Sequence, residues 1–132
     1  MRLLFLLIGL VLMLVSCRKD KDDNKDIYHQ WKWENSIGGF TGNDTVKPTN
    51  NTTVTLTLKR DMSFIEESNG QPVSQGSFRI TTVGTQKILQ ADSLSSVTGV
   101  WFINHGAIVT IKEDRLHLTE YQVSEPYTHY FK

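Results

Sequence analysis

The chain has one cysteine, Cys17, in 132 residues. A lone cysteine closes no disulfide within the chain and builds no thiolate metal site, so the fold rests on its apolar core. Charge of one sign is also lacking, because fourteen basic residues balance fourteen acidic ones. Without a basic surplus to displace counterions, nucleic-acid binding is excluded as an expectation. After Cys17 no segment spaces its apolar residues at the helical period, which argues against a helical bundle. The chain contains no Gly-x-Ser-x-Gly, no glycine-rich phosphate loop, no His-x-His and no His-Glu-x-x-His. The motif-borne signatures of hydrolases, nucleotide-binding folds and zinc peptidases are therefore missing. We expect a non-enzyme without cofactor or metal.

What is present begins at the N-terminus. Arg2 precedes an apolar run at residues 3–15, followed by small Ser16 and then Cys17. A positive end, an apolar middle and a small-residue cleavage site make a secretory signal, and the run is too short to span ~30 Å of hydrocarbon comfortably. Leu14-Val15-Ser16-Cys17 resembles the lipobox of bacterial lipoproteins. That resemblance implies a signal peptide over 1–16, removed before Cys17, and a lipidated Cys17 carrying fatty acyl chains such as palmitate. Two or more chains give stable anchoring at ~0.8 kcal/mol per buried CH₂. Residues 17–26 then form a charged tether with no apolar residue after Cys17, too polar to order itself. The expected location is the cell envelope, lipid-anchored to the outer membrane. Lys21-Asp22-Asp23 looks like a surface-export signal, and a periplasmic face and a surface-exposed face both stay open.

Residues 27–132 read as one all-β domain. Val54, Leu56 and Leu58 alternate with Thr55, Thr57 and Lys59, the period-2 pattern of a strand with one buried face. Arg60-Asp61 turns the chain back into Ser63–Glu67, and Asn69-Gly70 marks a second hairpin turn because both residues tolerate positive φ. Further strands are expected near 73–83, 87–91, 107–112, 115–119 and 127–131, with Trp31-Lys32-Trp33 opening the first. Phe64, Phe78, Ile80, Ile111, Leu116 and Leu118 are expected inside. The stretch 91–106 is the weakest. Ser93, Ser95, Ser96 and Gly99 read as loop, while Val100–Ile103 fits a strand or a flap. Some eight short strands joined by hairpins suggest a sandwich or an up-and-down antiparallel β-barrel. The barrel is favoured, since closure removes free edges.

Among candidate chemical groups, Glu66-Glu67 and Glu113-Asp114 are neighbours that point to opposite faces, and they read as solvated edge and turn charge. His117 should face solvent, and His129 should share a face with Tyr127 and Phe131. His29 and His105 complete the set, with no ligand spacing among the four.

Several features together resemble the lipocalins, and most closely the lipocalin-like lipoproteins of Gram-negative bacteria. These are Trp31-Lys32-Trp33, Gly38-Gly39, Pro48 before the second strand, Arg60–Phe64, Gly76–Ile80 and Tyr127–Lys132. The resemblance implies that Trp31 and Trp33 belong to the barrel base, with Arg115 or Lys132 as the basic partner of Trp31. His29 stands where the family has glycine. The family also implies a small apolar ligand, with Trp101, Phe102 and Tyr127 as candidate contacts. The alternative is a solid-cored envelope or surface interaction protein contacting partners through residues 38–51. A third reading, a protease inhibitor, rests on fold analogy alone. A monomer is expected.

Overall fold

The computed structural model describes residues 27–94 and 106–132. Cys17, the signal and the tether lie outside these residues, as do Trp101 and Phe102. Nine strands are described: β1 (Gln30–Gly38), β2 (Asp44–Val46), β3 (Val54–Leu58), β4 (Ser63–Ser68), β5 (Gln71–Val83), β6 (Gln86–Leu94), β7 (Ala107–Lys112), β8 (Arg115–Glu120) and β9 (Tyr127–Phe131). Eight of them, β1 and β3 to β9, pair antiparallel in chain order, and β9 returns to pair with β1. The ring is a closed up-and-down antiparallel β-barrel of eight strands, consistent with a calycin-like fold, as the alternation and hairpin signals predict.

Closure depends on how β1 divides its edges. Residues 30–32 pair with β3, residues 36–38 pair with the short β2, and Trp33–Gly38 pair with β9 on the other side. A bulge between Trp33 and Asn35 bends β1 where it changes partner. Backbone bonds between Lys32 and Lys132, at 2.8 and 2.9 Å, fasten the seam below it. At the other end of the seam Gly38 lies against the backbone of Pro126 and Tyr127. A Cβ there would stand 2.6 Å from Tyr127 Cα, so only glycine lets the strands approach.

The barrel has two ends. Chain entry at Ile27, the turns at residues 59–62, 84–85 and 113–114, and the terminal Lys132 gather at one, the base. The connections 39–53, 69–70 and 121–126 gather at the other, the loop end, where β6 ends and β7 begins. Asn69 and Gly70 form the expected turn with φ of 51° and 76°.

Inside the base half the packing is apolar. Leu58, Phe64, Phe78, Leu89, Leu116 and Phe131 are each at most 2% exposed. Trp31 is buried among them, its indole Nε1–H donating to Ile27 O at 2.8 Å, and Trp33 packs against the same cluster. His29 stands edge-on to Trp31. Of the expected basic partners, Arg115 Nη1 lies 3.2 Å from Glu34 Oε2, and Lys132 joins the seam through its backbone and lines a groove with Trp31. The cation over an aromatic ring at the base is Arg60, above Tyr28.

Three expectations are corrected. Residues 38–51 are not simply a connection, because Asp44–Val46 form β2. Ser93 belongs to β6 instead of a loop: Ser77 and Ser93 hydroxyls meet at 2.9 Å, and Arg79 pairs with Asp92 and hydrogen-bonds Gln90. Such cross-strand polar pairs carry β6 past its apolar stretch. Ile111 does not fill the interior; it is 36% exposed beside the base turn.

Candidate functional site

The inner face changes character towards the loop end. On β4, Phe64 and then Glu66 point inward, because their positions differ by two. Glu66 is 1% exposed, flanked across the strands by Leu56 on β3 and Ser74 on β5. This overturns the expectation of a solvated edge charge. Glu67 does face outward, beside Gln30 and Thr55, but strand parity sends Glu66 into the core. Neither carboxyl oxygen of Glu66 has a hydrogen-bond partner among the described residues. Burial without a partner disfavours the anion and pushes the Glu66 pKa up to about 8, so at neutral pH the group is mainly the acid.

A second polar group lies at the same end, on the closing strands. Ser36 and His129 are cross-strand neighbours, 3% and 0% exposed. Trp33 Nε1–H donates to Ser36 Oγ at 3.0 Å, and Ser36 Oγ lies 2.7 Å from His129 Nδ1. Trp33, Ser36 and His129 thus form one hydrogen-bonded line across the β1–β9 seam. Nε2 faces Glu120 Oε1 at 3.6 Å, and Glu120 Oε2 accepts the Tyr127 backbone N–H at 2.8 Å. Burial holds the His129 pKa below its ordinary value, with Glu120 pulling the other way.

Serine, histidine and glutamate in line are the residue types of acyl-transfer catalysis. Here Ser36 is buried and its oxygen receives Trp33's proton, so the line pins β1 to β9 and offers no accessible nucleophile.

The candidate contact Tyr127 is half-buried opposite Gly38, beside this layer. Among the described residues no three His, Cys, Asp or Glu converge as a metal site. His117 is half-buried on the outer face, edge-on to Tyr130 at 4.7 Å; burial and then the neighbouring Lys112 and Arg115 lower its pKa. Two grooves open to solvent are described. One of about 320 Å³ lies beside Trp31, Asp114 and Lys132, and another of about 310 Å³ runs along Lys59, Ile65 and Gln75. At the loop end Phe40 is 84% exposed, with Ile37 and Val46 partly exposed nearby on β1 and β2.

Ser36, Glu66 and Glu120 are the residues that motif reasoning missed. For Glu66 and Glu120 the signal was present, since each is two positions beyond a leucine or phenylalanine of the inner face. No family model matches the chain, and no curated protein or solved structure matches it either.

Proposed function

We propose that this chain is a membrane-anchored bacterial lipoprotein whose lipocalin-like barrel takes one small molecule at its loop end. Cys17 would carry the lipid, residues 18–26 would space the barrel from the outer membrane, and the role is binding, not catalysis. One observation carries the binding reading: Glu66 is buried in the barrel with no hydrogen-bond partner among the described residues. A buried carboxyl without hydrogen bonds costs several kcal/mol and adds nothing to a packed core. Its retention makes sense if a ligand completes it. Because apolar side chains fill the base half, the ligand sits above them, its polar part at the level of Ser36, Glu66, Ser74, Glu120 and His129.

Native mass spectrometry of the full chain, extracted from its own envelope, tests this reading. A small molecule retained by the wild type and lost in Glu66→Leu is the expected result; an apo mass in both argues against a ligand. The anchor has its own test. Cys17→Ala should move the protein from the membrane fraction to the soluble fraction, and a mutant that stays with the membrane sinks the lipoprotein assignment.

A second reading, an interaction protein with a solid barrel, is favoured by the exposure of Phe40 on the β1–β2 connection. Large exposed apolar side chains that cluster mark partner surfaces. Loss of a co-purifying envelope protein on Phe40→Ser, with the barrel intact, would support it.

A further inference from the structure

We infer that the ligand is a small organic amine, with the Glu66 carboxylate as counter-ion to its ammonium group. This deepens the binding reading above by naming the ligand's chemistry. Glu66 is turned into the barrel near the end of β4, three positions before Asn69 of the turn, and neither of its oxygens has a hydrogen-bond partner among the described residues. Leu56 faces it from β3 and Ser74 from β5. The other titratable groups of this layer are Glu120 and His129, and its remaining polar groups are hydroxyls. Among the described residues no Lys or Arg belongs to it: each is exposed except Lys87, which is half-buried next to the base turn.

That inventory discriminates between ligand classes. A carboxylate or phosphate would add negative charge beside two carboxyl groups in a low-dielectric interior with nothing to neutralise it. A neutral alcohol has a single hydroxyl hydrogen to offer the two carboxyl oxygens of Glu66. An ammonium supplies three N–H donors and one positive charge, enough to satisfy both carboxyl oxygens and to neutralise the anion. The proton balance closes. In the free protein Glu66 carries its proton; the amine arrives as R–NH₃⁺, the proton leaves to solvent, and the buried site stays neutral before and after binding.

The test is calorimetric titration of the full chain in lipid nanodiscs at pH 7 with hexylamine, hexanol and hexanoate, using empty nanodiscs as the blank. Buffers of different ionisation enthalpy count the protons. Hexylamine should bind at least about tenfold more tightly than hexanol, hexanoate should be weakest, and about one proton should leave per amine bound. Glu66→Gln keeps the shape and removes the charge. It should lose about tenfold or more in amine affinity and all proton release. Should that variant not fold, the wild-type ranking and proton count decide alone. Hexanol or hexanoate binding as tightly as the amine, or Glu66→Gln keeping amine affinity, overturns the amine assignment and leaves ligand binding standing. No heat from any of the three overturns both.

Discussion

The two halves of this barrel interior solve different problems. At the base, Trp31, Leu58, Phe64, Phe78, Leu116 and Phe131 fill the space with hydrocarbon, and the one polar atom of Trp31 is satisfied by Ile27 O. Nothing there asks for a partner outside the chain. At the loop end the same inward positions hold Ser36, Glu66, Ser74 and His129. One part of that polar layer is tied off, from Trp33 through Ser36 to His129. The other part, Glu66 on β4, two strands round the ring from β1, is left open. The difference separates stability from recognition: a filled base lets the loop end carry a polar group that a core built only for stability would exclude.

The comparison can be broken most forcefully at the base. Phe131→Ala, at a fully buried position, should cost about 3–5 kcal/mol in urea unfolding at pH 6. A loss under about 1 kcal/mol would mean that the base is not the packed half. The opposite sign is expected at the loop end. Glu66→Leu should be as stable as the wild type or more so at pH 8, because it removes a buried group that would otherwise ionise.

The pH dependence sharpens the same contrast. Folding raises the Glu66 pKa from 4.5 to about 8, so the folded state binds more protons than the unfolded state across that window. Stability is therefore full below about 4.5 and falls as pH rises through about 8, by roughly 3–5 kcal/mol in all. Glu66→Gln should flatten this alkaline limb. His129 acts at the other side with a smaller effect. Its pKa is lowered by burial, so the unfolded state takes up the extra proton, and stability falls as pH drops below the ordinary histidine value of 6.5. The acid limb should be smaller than the alkaline one, since Glu120 offsets part of the burial, and His129→Gln should remove it. Urea midpoints from pH 4 to 9 for the three proteins separate the limbs; a wild type that gains stability between pH 5 and 8 contradicts the Glu66 assignment.

Much of the barrel was legible in the chain. The alternation at Val54, Leu56 and Leu58 and at Leu116 and Leu118, with the Asn69-Gly70 turn, marked hairpins whose inner faces the structure bears out. His129 was correctly placed on the face of Phe131. Other features were hidden for physical reasons. β2 has three exposed residues and is held by pairing with β1 alone, so no apolar pattern announces it. The bulge after Trp33 shifts the phase of β1, which turns Ser36 inward at a position that simple alternation assigns to the outside. Its bond to His129 joins residues 93 apart in sequence, a contact that only barrel closure creates. Glu66 differs from these. Period two from Phe64 already sent it inward, and its charge argued the other way; the parity of the strand prevailed.

The carboxyl carbon of Glu66, followed by NMR across a pH titration of the ¹³C-labelled free protein, probes the account most directly. A midpoint near 8 that moves down when hexylamine is added is the predicted behaviour. A midpoint near the ordinary 4.5, indifferent to the amine, would contradict it.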